Sequence, residues 1–172
     1  LSAMGKNIGN SIIDKKNIII AEKLLRKAKK NNINIVLPDD VVCAKELSIH
    51  SPWRISTLKD LNPSESGYDI GPETTMKFTD ILSNAKTVLW NGPLGVYEIP
   101  SYATGTQAIA SIIKDITKQG AISIIGGGDT ASALRYNNNY NDFTHVSTGG
   151  GASLYLLSGK KMPGIAALGT YA

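Results

Sequence analysis

The sequence has 172 residues, of which 42% are hydrophobic and 19% are charged, so it can bury the core of one ordinary domain. No apolar run approaches the roughly 20 residues that cross a bilayer, and the N-terminus lacks a signal pattern, which predicts a cytoplasmic protein, with a plastid or another organelle left open. The net charge of +4 leaves nucleic acid open as a partner. The lone Cys43 predicts a buried thiol in a reducing compartment.

The first half of the chain mixes helical and extended patterns. Apolar residues at helical spacing predict a helix over residues 17–30, and lysines form its polar side. An apolar run over residues 33–38 ends at a proline, and a second apolar stretch covers residues 41–44. A polar stretch with short extended pieces occupies residues 48–71. The residues that follow, Gly71-Pro72-Glu73-Thr74, are typical of a helix start.

The second half alternates short apolar runs with helical patterns. The predicted strands cover residues 87–90, 121–125 and 145–147. One predicted helix covers residues 102–118, a second follows the first glycine turn and ends at about residue 136, and a polar loop covers residues 137–141. This alternation is typical of a parallel sheet covered by helices on both faces. We therefore predict an α/β domain with a doubly wound parallel sheet.

Two glycine-rich turns each follow a strand and each open a helix. They are Gly126-Gly127-Gly128-Asp129-Thr130 and the segment 147–153, which contains Gly149, Gly150 and Gly151. Successive glycines let the backbone approach a ligand, and a helix N-terminus favours phosphate. Strand ends in a parallel sheet meet at one edge, so these turns and Asn91-Gly92-Pro93 should converge there. A helix entry without a ligand is the alternative for either turn alone.

The residues around the glycine turns narrow the chemistry. Asp129 would repel a bare phosphate, so a divalent cation, Mg²⁺, should lie between them; a plain helix N-cap is the alternative for this residue. The turns match neither the P-loop of nucleotide triphosphatases nor the dinucleotide fingerprint. His50 and His145 have no zinc-type spacing and are left as structural. Without a covalent nucleophile, such a site suits phosphoryl transfer between bound partners.

Five motifs in register make this sequence similar to phosphoglycerate kinase. They cover residues 69–74, 90–98, 126–130, 147–154 and 163–168. The resemblance implies a Rossmann-like three-layer fold that is incomplete at its N-terminal end. Residues 1–172 would then be part of the C-terminal nucleotide-binding domain, and the N-terminal phosphoglycerate-binding domain would be absent from this chain.

The resemblance also implies an activity. The parent protein would carry out glycolytic phosphoryl transfer between 1,3-bisphosphoglycerate and ADP, giving 3-phosphoglycerate and ATP, with Mg²⁺. It would act as a monomer without nucleic-acid or membrane partners. This chain would hold the nucleotide half of the site and would be inactive alone, because productive positioning of both substrates supplies much of the rate.

The resemblance assigns residues to the base and the ribose. Gly67, Tyr68, Val96 and Ile12 would border the adenine, and Glu98 would accept hydrogen bonds from the ribose hydroxyls. Ordinary core packing is the alternative for Ile12 and Val96. Tyr68 stands where leucine is common in the family, so the adenine wall should differ in shape here.

The residues that the resemblance assigns to phosphate binding lie in the turns. The resemblance places these side chains and backbone groups near the nucleotide phosphates: Asn91, Gly127, Gly128 and Thr130, with Asp129 on the Mg²⁺. Gly149, Gly150 and Gly151 would form the catalytic set, stabilising the migrating phosphoryl group from a helix N-terminus.

Two other classes of protein compete with this reading. A dinucleotide-binding oxidoreductase would need a Gly-x-Gly-x-x-Gly turn after an early strand, and the sequence shows none. A non-catalytic nucleotide- or RNA-binding module could use the lysine-rich helix over residues 17–30. That helix carries no aromatic residue for base stacking, and only a steep salt dependence of RNA affinity would support this class.

Overall fold

The structure is a computed structural model that describes residues 1–136, 140–147 and 149–169. Residues 137–139 of the predicted polar loop and Thr148 of the second glycine turn lie outside the described residues. The chain divides into two compact units. Unit 1 comprises Leu1–Ile81 and Leu94–Ile109, and unit 2 comprises Leu82–Pro93 and Ala110–Ala172.

Unit 1 is built around a three-stranded antiparallel sheet. Its strands are β1 (Asp40–Ala44), β2 (Trp53–Thr57) and β3 (Ser66–Ile70), in the order β2-β1-β3. Its helices are α1 (Ile18–Lys30) and α2 (Pro72–Ser83), with 3₁₀ turns at Ser2–Met4, Lys15–Asn17 and Pro100–Tyr102. The start of α1 lies within one residue of the predicted start.

A buried carboxylate from β1 determines where α2 begins. Asp40 accepts hydrogen bonds from the backbone N–H of Glu73 at 3.1 Å and of Thr74 at 2.8 Å, and from the Thr74 hydroxyl at 2.6 Å. These N–H groups belong to the first turn of the helix, where no intrahelical acceptor exists. The helix start predicted at Gly71-Pro72 is confirmed, with its cap supplied by a distant residue.

The central strand β1 buries side chains on both faces of the sheet. Val41 and Cys43 pack on one face, in a cluster with Leu58 and Leu61. The opposite face carries a second cluster, which we call the tyrosine cluster: Val42, Ala44 and Tyr102 are buried, and Tyr68, Val96 and Ile99 pack against them. The predicted buried thiol is confirmed, because Cys43 is fully enclosed.

Unit 2 contains the predicted parallel sheet. Its strands are β4 (Thr87–Asn91), β5 (Ile122–Gly126) and β6 (His145–Ser147), in the order β4-β5-β6. The remaining helices are α3 (Thr104–Lys118), α4 (Gly128–Tyr136), α5 (Gly150–Leu157) and α6 (Pro163–Ala167), with a 3₁₀ turn at Tyr140–Asp142. Helix α3 belongs to unit 1 as far as Ile109 and to unit 2 beyond it. The α/β class is therefore confirmed.

The strands of unit 1 differ from the prediction in direction. β1 is antiparallel to both β2 and β3, and the short connection over residues 45–52 between β1 and β2 is of the kind that joins antiparallel neighbours. The apolar run over residues 33–38 belongs to neither sheet. Apolar runs identify strands but not their direction or their partners.

The two faces of the parallel sheet differ in exposure. Because β4, β5 and β6 lie in chain order, right-handed connections through α3 and α4 fall on the same face. On this face Trp90 and Ile125 are buried, whereas Leu89 and Ile122 on the opposite face are 45% and 50% exposed.

Candidate functional site

The carboxyl ends of the three parallel strands are in register. Asn91 pairs with Gly126, and Gly126 pairs with Ser147, so the last residues of β4, β5 and β6 form one row. The turn after each strand starts from this row. The predicted convergence of three loops at one edge of the sheet is confirmed within unit 2.

The first glycine turn leaves β5 with little room for side chains. Gly127 has φ +101°, a left-handed conformation that favours glycine, and a Cβ there would lie 3.3 Å from Asn91 Oδ1. A Cβ on Gly126 would lie 3.2 Å from Asn91 Nδ2. Gly128 is exposed and faces open space. The Asn91 amide thus lies against the turn, and Gly128 offers its backbone to an approaching molecule.

The second glycine turn is in contact with the first. A Cβ on Gly150 would lie 2.7 Å from Gly127 N and closer still to Gly127 Cα, so the two backbones touch where neither residue has a side chain. Asn91 Nδ2 lies 3.6 Å from the same Cβ position. Gly149 and Gly151 are exposed. The structure therefore brings the predicted Asn91, Gly127 and Gly150 together.

Thr130 connects the first glycine turn to the turn after β4. Its hydroxyl is buried, accepts the Gly92 N–H at 2.7 Å and donates to the Gly126 carbonyl at 3.0 Å. The Trp90 indole also donates to the Gly92 carbonyl at 2.7 Å, which holds the turn after β4. In this arrangement the only hydroxyl proton of Thr130 is already used. Its predicted contact with phosphate stays a prediction that requires the Gly126 bond to open.

Two helix N-termini begin at the glycine turns. Helix α4 starts at Gly128 and α5 starts at Gly150, so the N–H groups of both first turns lack intrahelical acceptors at this edge. Their partial positive charges favour an anion such as phosphate. Gly149 precedes α5 without a side-chain cap, which leaves those N–H groups open.

Asp129 fits the chemistry of a magnesium ligand. It is exposed in the first turn of α4, beside the open backbone of Gly128. Within the described ranges, no three His, Cys, Asp or Glu side chains form a group that could hold a metal ion by themselves. Mg²⁺ commonly binds one or two carboxylates together with substrate phosphates and water, and Asp129 is positioned to supply one such carboxylate.

The residues predicted to border the base lie in unit 1. Tyr68 and Val96 meet in the tyrosine cluster, and the Val96 N–H donates to the Tyr68 carbonyl at 2.9 Å. Gly67 N–H donates to the Ser11 hydroxyl at 3.0 Å, so the chain around Ile12 runs beside Gly67, although the Ile12 side chain is fully exposed. Glu98 is exposed on the loop that follows Val96.

The sequence did not identify the support beneath this loop. Asp69 is buried and accepts the N–H groups of Gly105 and Ile70, each at 2.8 Å. Burial raises the pKa of the Asp69 carboxyl from 3.8 to about 6, and the two hydrogen bonds oppose that rise. The buried Thr106 hydroxyl accepts the N–H groups of Leu94 and Gly95 at 3.0 and 3.2 Å. The sequence signal that could have pointed to Asp69 is its position directly after Gly67 and Tyr68, at the start of the first motif.

Tyr102 is a second residue that the sequence did not single out. Its side chain is fully buried, and its ring lies 5.1 Å from that of Tyr68, at an angle of 44°. Its hydroxyl has no hydrogen-bond partner among the described residues, and burial raises the pKa of this hydroxyl. The buried Tyr102 ring therefore packs against the Tyr68 ring and supports it from the core.

Two further observations concern the helices. Across the part of the chain that the structure describes, no helix has both the length and the apolar character needed to cross a bilayer. The lysines of α1 are exposed, as predicted for its polar side. An exposed lysine-rich helix is an ordinary solvated surface.

Comparisons with known proteins agree on one family. A family model described as phosphoglycerate kinase matches residues 1–160. The phosphoglycerate kinases of Chlorobaculum tepidum and Chloroherpeton thalassium are 48% and 47% identical to this chain over 166 residues. Each alignment covers 96% of this chain and 42% of the relative. This chain thus spans less than half the length of these curated relatives.

Solved structures give the same result. The structure of phosphoglycerate kinase from Coxiella burnetii matches with a TM-score of 0.87 and 38% identity, over 93% of this chain and 41% of that one. Phosphoglycerate kinase from Pyrococcus horikoshii OT3 matches with a TM-score of 0.68 and 28% identity, over 97% of this chain and 41% of that one.

Proposed function

Because this chain belongs to the phosphoglycerate kinase family, we propose that its part in the family's reaction is to bind the magnesium complex of ADP or ATP. The contact between Gly127 and Gly150 carries this proposal, because it joins two helix N-termini at the carboxyl edge of a parallel sheet. Such an edge is where ligands bind in α/β sheets. The comparisons support the kinase family over a separate RNA-binding module.

The reaction is phosphoryl transfer between 1,3-bisphosphoglycerate and ADP, giving 3-phosphoglycerate and ATP. The chain corresponds to the C-terminal nucleotide-binding part of the family fold, a placement supported by the order of its motifs. The 172 residues alone should bind nucleotide without turning it over, because the rate depends on holding both substrates in position.

Each turn has a defined part in binding. The N–H groups of Gly127 and Gly128 and the amide of Asn91 bind the nucleotide phosphates. The N–H groups of Gly149, Gly150 and Gly151 would stabilise charge on the migrating phosphoryl group, as donors fixed before the reaction do. The Gly149 N–H would first have to leave the Ser147 hydroxyl, which accepts it at 3.2 Å. Asp129 would hold Mg²⁺, which neutralises phosphate charge when bound.

Unit 1 supplies the residues for the nucleoside. Gly67, Tyr68 and Val96 contact the adenine, and Glu98 accepts hydrogen bonds from the ribose hydroxyls. The half-buried position of Tyr68 and the exposure of Glu98 support these assignments. Ile12 is fully exposed, so a contact between its side chain and the base would require the segment around Ser11 to close over it.

The test is a calorimetric titration of the chain with ADP, with and without Mg²⁺, on the natural sequence and on Asp129→Ala. We expect Mg²⁺ to tighten ADP binding at least about tenfold, equivalent to about 1.4 kcal/mol, and this gain to vanish in the variant. Asp115→Ala is the matched control, since Asp115 is an exposed carboxylate of the same unit outside the turns.

The outcomes separate the assignments. A magnesium gain that survives in Asp129→Ala would refute the metal role of Asp129 and leave nucleotide binding intact. No ADP binding by a chain with a cooperative melting transition would refute the proposed function of the chain itself.

A further inference from the structure

The segment over residues 94–99, which we call the ribose loop, begins on a buried hydroxyl. Thr106 lies in the first turn of α3, and its side chain is buried. Its hydroxyl oxygen accepts the backbone N–H groups of Leu94 at 3.0 Å and of Gly95 at 3.2 Å. Buried N–H groups without an acceptor are strongly unfavourable. One side-chain oxygen therefore holds two successive backbone positions of the loop.

The carboxylate of Asp69 closes the space behind the start of this loop. It accepts the N–H groups of Ile70 and Gly105, both at 2.8 Å, so it joins the end of β3 to the start of α3. A Cβ on Gly95 would overlap this carboxylate and the backbone carbonyl of Tyr102. The backbone at Gly95 therefore lies tightly against β3 and against the turn that precedes α3.

The rest of the ribose loop is anchored through its backbone. The Val96 N–H donates to the Tyr68 carbonyl at 2.9 Å, and the Ile99 N–H donates to the Val96 carbonyl at 3.0 Å, which closes a turn. Glu98 lies within this turn and is exposed, whereas Val96 and Ile99 on either side are half-buried. The loop thus carries an exposed carboxylate on a backbone that is fixed before and after it.

A group that is already held in its bound position gives tighter binding, because less conformational entropy is lost when the ligand arrives. Supporting side chains of this kind need not touch the ligand. The hydrogen bonds of the ribose loop join residues of unit 1, whereas both glycine turns belong to unit 2. A change in these bonds should therefore alter the binding of the nucleoside and leave the phosphate contacts as they are.

We propose that Thr106 is a positioning residue for nucleotide binding: together with Asp69, it holds the ribose loop so that Glu98 is in place for the ribose hydroxyls before the nucleotide arrives. This inference rests on the proposed function, since it assumes that Glu98 binds the ribose. Thr106 is buried, so it acts through the backbone of the loop and not by touching the nucleotide.

The experiment measures ADP dissociation constants by calorimetry, with Mg²⁺, on the natural chain, Thr106→Val and Thr106→Ser. Valine has the shape of threonine but accepts no hydrogen bond, and serine keeps the hydroxyl. Thr106→Val should weaken ADP binding at least about fivefold, and Thr106→Ser should stay within about twofold of the natural chain. Hydrogen exchange at the N–H groups of Leu94 and Gly95 should be faster in Thr106→Val and close to natural in Thr106→Ser.

Thr117→Val is the matched control. Thr117 belongs to the same helix, but in unit 2, and its hydroxyl is bonded to the Ile113 carbonyl at 2.6 Å and to the Ser123 hydroxyl at 2.8 Å. This variant makes the same substitution and also loses hydrogen bonds of α3, without touching the ribose loop. Its ADP affinity should equal that of the natural chain.

Asp69→Asn tests the same support if circular dichroism shows that Thr106→Val does not fold. The amide replaces one acceptor by a donor, so the N–H of either Ile70 or Gly105 loses its partner. Asp69→Asn should therefore also weaken ADP binding at least about fivefold.

A double-mutant cycle shows whether Thr106 acts through Glu98. Glu98→Gln should weaken ADP binding by itself. When it is combined with Thr106→Val, the total loss should be smaller than the product of the two single losses, because a displaced carboxylate contributes little that can still be lost. The losses of Thr106→Val and Asp129→Ala should multiply, because these residues serve different parts of the nucleotide.

Four results would overturn the proposal. Unchanged ADP affinity in a Thr106→Val chain with fast exchange at Leu94 and Gly95 would show that binding does not need the held loop. Losses that multiply in the cycle with Glu98 would show that Thr106 acts elsewhere. An equal loss in Thr117→Val would show a general effect of weakened helix packing. If the natural chain does not bind ADP, the proposed function fails first and this inference fails with it.

Discussion

The contact between the two glycine turns predicts opposite effects for two neighbouring substitutions. A Cβ on Gly150 would lie 2.7 Å from Gly127 N, whereas a Cβ on Gly151 would have no heavy atom within 4 Å. Both residues lie in the first turn of α5, and neither has a positive φ. Gly150→Ala and Gly151→Ala therefore add the same methyl group to the same helix and differ only in the space around it.

The magnitude follows from the distance. Nonbonded heavy atoms at optimal separation lie about 3.5–4.0 Å apart, so Gly150→Ala must separate the two turns by about 1 Å. The obstacle is backbone, which cannot rotate aside as a side chain can. Overpacking of this kind costs about 1–3 kcal/mol, while alanine in a helix gains up to about 1 kcal/mol over glycine. Gly150→Ala should thus unfold about 1–3 kcal/mol more easily than Gly151→Ala.

The assay is urea unfolding followed by tryptophan fluorescence in a Trp53→Phe background. The sequence has two tryptophans, so Trp90, which is buried in unit 2, becomes the single probe. Comparison of urea midpoints at equal slope gives the stability difference. Equal midpoints for the two variants would refute the close approach of Gly127 and Gly150, and with it the geometry that carries the proposed function.

Two further predictions concern buried groups of unit 1. The pKa of Asp69 in the folded chain, about 6, lies above its ordinary value of 3.8, so the folded state binds the proton more tightly than the unfolded state. This contribution to the free energy of unfolding is complete below about pH 4, and about 3 kcal/mol of it is lost as the pH rises through 6. Asp69→Asn does not titrate, and urea unfolding between about pH 4 and pH 7 should show a flatter pH dependence; a variant that keeps the full slope would contradict this assignment. Tyr102→Phe removes a buried hydroxyl without a partner and should raise the free energy of unfolding by about 1 kcal/mol in thermal or urea unfolding. A loss of stability would mean that this hydroxyl has a partner in solution.

The sequence predicted the features that short patterns encode. The positions of α1, α3 and the strands of unit 2 agree with their apolar periodicity to within a few residues. The row formed by Asn91, Gly126 and Ser147 follows from a general property of parallel sheets, so its members could be named before the structure.

Contacts between residues far apart in the sequence could not be predicted from these short patterns. The hydrogen bonds of Thr130 to Gly92 and Gly126 depend on how two turns meet, which local sequence does not contain. The antiparallel pairing of β1 with β3 joins strands that are not consecutive in the chain, and the apolar spacing of strands is the same in either direction. The support of the Leu94–Gly95 loop by Thr106 arises in the same way.

The two buried aspartates also bear on the order of folding. Neither α2 nor α3 is preceded by a residue whose side chain could accept the first N–H groups, since Gly71 stands before the first and Ala103 before the second. Their first turns are completed by Asp40 and Asp69, which lie 34 and 36 positions away from the N–H groups of Thr74 and Gly105. Closing such long loops must precede the benefit of these bonds. We therefore expect the helix starts of unit 1 to become stable only when its sheet has formed.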